Sequence, residues 1–132
     1  MKKSRVLVNV LLFATAVAIV VSCAVNPVTG KKQIMLMSEA QEVALGVSYD
    51  PQVIATFGEY PDAKLQAYVQ EKGVETGKVS HRPNLEYHVR VIDSPVVNAF
   101  AVPGGYIYLT RGILAQLNNE AELIGVLGHE MG

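Results

Sequence analysis

His129 and Glu130 stand side by side at the end of the run Glu120-Ala-Glu-Leu-Ile-Gly-Val-Leu-Gly-His-Glu-Met-Gly132, which is otherwise nearly all apolar from Leu123 onward. An imidazole next to a carboxylate is the opening of a His-Glu-x-x-His pattern. On a helix, residues four apart share one face with Cβ atoms about 5 to 6 Å apart, so two such histidines reach one zinc ion. The glutamate after the first histidine is then placed as a general base for water whose pKa the metal lowers toward neutrality. The second histidine of such a pair would be residue 133, one past the last residue of the sequence. The dipeptide alone also fits a plain helix-end histidine, which the negative pole of the helix dipole favours. Leu123, Leu127 and Met131, at i, i+4 and i+8, give the helix a buried face, and a buried helix seldom ends in His-Glu without a use for the pair. Gly125, one turn before His129, leaves the metal-facing side uncluttered.

The elements that must position this helix follow from caps and periodicities. Ser38 opens a helix with Gln41 as its capping-box partner and Glu39 and Glu42 in the first turn, and Val43 and Val47 lie one turn apart. The helix is predicted to end by Asp50-Pro51, because the residue before proline avoids the helical region. A second helix starts near Pro61-Asp62, shows Leu65, Tyr68 and Val69 on one face, and is predicted to end over Gly73 to Gly77. Tyr87, Val89 and Val91 alternate with His88, Arg90 and Ile92 as a strand, which Asp93-Ser94-Pro95 breaks. From Asn98 to Leu109, two β-prone runs flank Pro103-Gly104-Gly105 and predict a hairpin. Thr110 caps a short helix through Leu117, and Asn119 with Glu122 caps the final one. The expected fold class is α+β: two helices, a small sheet with an edge-strand hairpin, then the His-Glu helix.

At 132 residues the chain is long enough for one domain. Lys2, Lys3 and Arg5 precede an apolar stretch from Val6 to Val21, and small residues Ser22 and Ala24 flank the single cysteine, Cys23. That is the pattern of a secretory leader, and the stretch is short against the roughly 20 apolar residues of a membrane span. Val20-Val21-Ser22-Cys23 resembles a bacterial lipobox, which implies residues 1–22 as signal peptide and a lipid on Cys23 holding the protein to a membrane. Residues 23–37 then read as a tether, with Asn26-Pro-Val-Thr-Gly30 as turn chemistry, and residues 38–132 as the catalytic domain's N-terminal part. Without residues 1–22 the chain carries 8 Lys+Arg against 12 Asp+Glu, a formal charge of −4. A nucleic-acid partner is excluded on that balance, since such proteins display a basic footprint.

Taken together, Asn26-Pro-Val-Thr-Gly-Lys-Lys-Gln33 with Met37-Ser-Glu-Ala-Gln-Glu42, Asn98-Ala-Phe-Ala-Val-Pro-Gly-Gly105 with Tyr106-Ile-Tyr-Leu-Thr-Arg-Gly112, and Asn119-Glu-Ala-Glu-Leu123 through Gly128-His-Glu-Met-Gly132 resemble the periplasmic lipoprotein branch of peptidase family M48. These are zincins related to the CAAX prenyl endopeptidases. The resemblance implies a zincin-like fold and a zinc-dependent endopeptidase of the cell envelope. It implies His129 as metal ligand, Glu130 as catalytic base, and a protein substrate paired along the edge strand at Asn98, Ala99, Phe100 and Ala101. Misfolded or stalled outer-membrane proteins are the substrates it implies, and the periplasmic side of the outer membrane the location. The family's third zinc ligand, a glutamate on a later helix, has no counterpart in the sequence. The chain as it stands is therefore expected to be inactive, either as a fragment of a longer gene product or as a natural truncation.

Other candidates read as structural. His81 in a polar loop and His88 on the strand are expected to be solvated, Tyr106 and Tyr108 to pack across strands, and Glu71, Lys72 and Glu75 to form an exposed helix face. The rival reading is a non-catalytic lipoprotein that binds unfolded envelope proteins through the same edge strand. A histidine directly after Gly132 in the gene, with a glutamate downstream, would distinguish the enzyme from the binding module.

Overall fold

The structure is a computed structural model that describes Cys23–Val25, Lys32–Ile34 and residues 37–132. The leader assigned to residues 1–22 lies outside the described residues. Two compact units are present. In the first, β1 (Cys23–Val25) pairs antiparallel with β2 (Lys32–Ile34), Cys23 opposite Ile34. The tether segment thus contains a short two-stranded ribbon as well as the Pro/Gly residues read as a turn, which lie outside the described residues.

The second unit starts with α1 (Glu39–Phe57), and its Ser38 and Gln41 form the reciprocal capping box expected of them. The helix passes through Pro51 instead of stopping there. A mid-helix proline costs about 3 kcal/mol, whereas taking an aliphatic side chain out of water contributes about 1.5–3 kcal/mol. Beyond Pro51, Val53 and Ile54 both pack against Ile92, Tyr106 and Tyr108. Asp50 is also fixed, by a hydrogen bond from the Tyr108 hydroxyl at 2.8 Å and by Arg90, whose guanidinium donates to it at 3.0 Å. Val43 and Val47 are exposed, and the face turned inward carries Gly46 instead.

Helix α2 (Ala63–Lys78) runs on through both glycines predicted to end it. Val69, Gly73 and Gly77 repeat every four residues and form its buried stripe. A Cβ at Gly73 would collide with Val89 and one at Gly77 with the Tyr87 ring, so both glycines serve close approach to β3 (His88–Ile92). Closeness also lets two glutamines of α2 reach the strand. Gln70 Nε2 donates to Tyr87 O at 2.9 Å while its Oε1 accepts from Val89 N–H at 2.6 Å. One turn earlier, Gln66 Nε2 donates to Val91 O at 2.8 Å and its Oε1 accepts from Val91 N–H at 2.9 Å.

The hairpin is present as predicted, with β4 (Ala99–Val102) antiparallel to β5 (Tyr106–Thr110). Gly104 and Gly105 turn it at φ 84° and 86°, values that favour residues without a Cβ. Strand β5 also pairs in parallel with β3, giving a mixed sheet of order β3-β5-β4. One sheet face carries Tyr87, Val89, Val91, Ile107 and Leu109, packed on Val69 of α2 and on the final helix. The other face carries Ile92, Tyr106 and Tyr108 with Phe100 and Val102, packed on α1. The result is an α+β unit, helix over sheet over two helices. After β5 come α3 (Arg111–Leu114), shorter than the sequence suggested, and α4 (Glu120–Met131).

Gly73→Ala tests the close approach by its sign. In an exposed helix the change would stabilise by about 1 kcal/mol; here overpacking should destabilise by about 1–3 kcal/mol in urea unfolding. Gln70→Leu should cost about 1–3 kcal/mol in the same measurement, because it leaves the buried Val89 N–H and Tyr87 C=O unpaired.

Candidate active site

Helix α4 starts at Asn119, whose side chain accepts from Glu122 N–H at 3.0 Å, while the Glu122 carboxylate accepts from Asn118 N–H at 2.8 Å. Its first turn is tied to α2 through the Tyr68 hydroxyl, which donates to Glu120 at 2.8 Å, and through Lys72 at 3.6 Å. Leu123, Leu127 and Met131 are the buried face, as their spacing predicted. Glu122, Gly125, Val126, His129 and Glu130, at i, i+3, i+4, i+7 and i+8, form an adjacent face that borders an open cleft of about 590 Å³. The core contact thus sets the rotation of α4, and that rotation presents His129 and Glu130 together. No Cβ placed at Gly125 would meet another atom within 4 Å, which agrees with the uncluttered side read from the sequence.

The opposite wall is the edge of the sheet. Val97, Asn98 and Ala99 line it, with Ile113 and Leu117 closing the end. Thr110 Oγ1 organises this wall: it accepts from Asn98 N–H and from Ile113 N–H, each at 3.1 Å, and its own proton is shared between Val96 O at 2.6 Å and Asn98 O at 2.8 Å. Because Thr110 N–H donates to Asn98 O, ladder alternation turns the N–H and C=O of Ala99 and Ala101 away from β5. Among the described residues no strand pairs with that outer edge.

Of the four edge-strand residues singled out from the sequence, Asn98 and Ala99 therefore border the cleft with His129 and Glu130. Phe100 points to the other face, its ring stacked on Tyr108 at 5.1 Å, and Ala101 is exposed. His88 is half-buried rather than solvated, stacked at 4.5 Å on Tyr106. Burial first, and the hydrogen bond to Asp50 second, push the Tyr108 hydroxyl above its ordinary pKa. It stays a neutral donor on the face away from the cleft, in keeping with packing. His81 borders a different depression, between the end of α2 and α4.

As a zinc site the arrangement is partial. His129 offers an imidazole to the cleft with Glu130 beside it, which fits the first ligand and the base of such a centre. Among the described residues no group of three or more His, Cys, Asp or Glu side chains converges on a metal-sized site.

The model of peptidase family M48 matches residues 63–132, which runs from the start of α2 through the His-Glu pair. The chain belongs to peptidase family M48. An M48 relative, the mitochondrial metalloendopeptidase OMA1 of Arabidopsis thaliana, is 40 % identical over 53 residues, 40 % of this chain and 11 % of that protein. The human metalloendopeptidase OMA1 is 27 % identical over 114 residues, 81 % of this chain and 22 % of its own length. The beta-barrel assembly-enhancing protease of Yersinia pestis is 30 % identical over 95 residues, 72 % of this chain and 20 % of its own length. The M48 chain thus spans about a fifth of the length of the latter two.

Besides the His-Glu pair, the edge strand, Gly125 and the cap residue Glu122, the cleft is bordered by apolar residues that were not singled out from the sequence. Val97, Ile113, Leu117 and Val126 look like ordinary apolar residues there. Thr110 was legible as a helix cap, because threonine before a helix has that use, but its hold on Asn98 depends on strand pairing. Thr110→Val keeps the shape and removes the hydroxyl. It should destabilise the protein by about 1–2 kcal/mol and speed hydrogen exchange at the Asn98 and Ile113 amides; unchanged exchange at both would contradict the role given to Thr110.

Proposed function

We propose that the full-length protein is a zinc-dependent metalloendopeptidase of the bacterial cell envelope that hydrolyses peptide bonds in misfolded or stalled outer-membrane proteins. The observation that carries the reading is the placement of His129 and Glu130 across one cleft from an unpaired strand edge. His129 would hold the zinc, with the remaining ligands supplied outside the described residues. When bound, the metal polarises the scissile carbonyl and lowers the pKa of water. Glu130 would act as the base that accepts a proton from water in the cleft and as the acid that returns it to the leaving amine. The outward N–H and C=O groups of Ala99 and Ala101 pair with an extended substrate, as in strand addition to a sheet edge. The substrate class draws support from the name of the Yersinia relative. Among the described residues one zinc ligand, His129, borders the cleft where catalytic sites use three, so no turnover is expected of residues 1–132 taken alone.

Membrane attachment through a lipid on Cys23, at the periplasmic side of the outer membrane, belongs to the same reading. Among the described residues no helix is long and apolar enough to cross a membrane. The lipobox resemblance supports attachment by acyl chains. Mass spectrometry of the N-terminal peptide from membranes should find lipid on Cys23 with residues 1–22 removed; an unmodified cysteine behind an intact leader would sink the anchoring proposal.

The open strand edge by itself equally suits the rival, a lipoprotein that binds unfolded proteins without cutting them. Two variants of the full-length gene product separate the readings. Glu130→Gln should lower peptide turnover by about 100-fold or more while zinc stays bound, because an amide keeps the shape but accepts no proton. His129→Ala should lose zinc and turnover together. Near-normal turnover in Glu130→Gln would remove the hydrolase mechanism, and zinc content unchanged by His129→Ala would remove the ligand assignment.

A further inference from the structure

An unpaired strand edge is a standing template for another chain, and proteins blunt such edges with charged residues, bulges or a covering segment. From Ser94 to Thr110 the sequence holds no aspartate, glutamate, lysine or arginine. Strand β4 pairs with β5 residue for residue from Ala99 to Val102, without a bulge. Apolar residues surround this edge: Phe57, Val96 and Val97 are 42, 63 and 58 % exposed, and the Phe57 ring lies 6.2 Å from that of Phe100. The outward N–H and C=O groups sit on Ala99 and Ala101, two residues apart. That spacing is self-complementary. When two copies of β4 run antiparallel about a two-fold axis through Phe100, Ala99 of each copy faces Ala101 of the other, and each such pair exchanges two hydrogen bonds. Every outward group of both strands is then satisfied. A register centred on Ala101 would instead set Ala99 against Pro103, which has no N–H to give.

We propose that a second copy of this chain occupies the β4 edge when substrate is absent, joined β4 to β4 in one continuous sheet, and that this dimer is a resting state in which both edges are withheld from substrate. A two-fold interface sets a surface against itself, so a charged edge would meet like charge, whereas this one meets alanine and phenylalanine. Phe100 faces Phe100 at the axis as a non-hydrogen-bonded pair, with Cα atoms about 4.5 Å apart. Its ring, stacked on Tyr108, gains a second aromatic neighbour there. On the opposite face Ala99 and Ala101 bring single methyl groups, which leave no bulk to clash. The pairing rests on the edge itself; its regulatory consequence rests on the reading of β4 as the substrate-pairing strand.

The test uses the full-length protein carrying Cys23→Ser, which removes the site of lipid attachment, and Glu130→Gln, so that peptide is not consumed. Sedimentation velocity over a wide concentration range should show monomer giving way to dimer, and an excess of an extended peptide should return it to monomer. Single cysteines then report the register, with the same protein lacking them as control. Phe100→Cys should form an interchain disulfide on mild oxidation, because Cα atoms about 4.5 Å apart are within disulfide reach. Since that change removes a packed ring, Ala99→Cys and Ala101→Cys provide an arm that leaves it in place. Mixed together, these two should cross-link, at a Cα separation of about 5.5 Å. Ala101→Cys alone should cross-link at least about tenfold more slowly, because its equivalent lies about 7–8 Å away on the diagonal. A protein that stays monomeric at every concentration, or Ala101→Cys alone cross-linking as fast as the mixture, would overturn the paired edge. With Glu130 restored, turnover per molecule should rise on dilution as the dimer separates; turnover unchanged while the dimer dissociates would overturn the resting state. Cleavage by a protein that never dimerises would retain the peptidase reading and remove the dimer, whereas a cross-linking dimer without cleavage at any dilution would do the reverse.

Discussion

Backbone N–H and C=O groups on a sheet edge must find partners, and a sheet of three strands has two edges to satisfy. In this fold the two are treated in opposite ways. Along β3, the amides of Gln66 and Gln70 occupy the place of a further strand, each glutamine accepting from one N–H and donating to one C=O. Along β4, the outward groups of Ala99 and Ala101 have no such cover among the described residues. With one edge closed by these side chains and by the backbone of Gly58 to Tyr60, the other stays open, among the described residues, to an added extended peptide.

The same close approach fixes the His-Glu helix. Gly73 and Gly77 bring the axis of α2 down onto Val89 and Tyr87, and the first turn of α4 is tied to α2 by Tyr68 and Lys72. Leu123, Leu127 and Met131 then enter the core shared with β3 and β5. A helix rotated by its core contact has no further freedom over what its adjacent face presents, so His129 and Glu130 face the edge strand as a consequence of packing. Pairing and packing on the sheet thus decide the site before any metal or substrate is considered.

Much of this was legible in local sequence signals. The capping box at Ser38, the N-cap at Asn119, the alternation of Tyr87, Val89 and Val91, and the Pro103-Gly104-Gly105 turn each state a geometry that depends on a few neighbouring residues, and each is found where the sequence placed it. The misread positions share a different property. Pro51, Gly73 and Gly77 are local helix breakers, yet the helices continue through them because contacts distant in sequence outweigh the local preference. Gln66 and Gln70 look like solvated helix residues until the strand beside them is known. Phe100 joined the edge-strand residues by position, but strand alternation turns it from the cleft. The helix face holding Glu122, Val126, His129 and Glu130 was implicit in a 3.6-residue period, but the wall facing it was not, since Ile113 and Leu117 meet it only after the chain has turned at α3.

Strand β4 is fastened at both ends. At its start Thr110 binds Asn98, and beyond its end the Gly104 turn lies against the backbone of Glu42 and Val43 in α1, so closely that a Cβ there would not fit. A strand held this way loses its conformational freedom when the protein folds. Fixing a backbone residue costs about 1–2 kcal/mol, and on association only the arriving chain would bear that cost. Such a rigid template suits segments that are already extended and unstructured, and it disfavours those that must first unwind from a helix or a closed sheet. For any chain that paired with this edge, its own folding state would thereby enter the free energy of pairing.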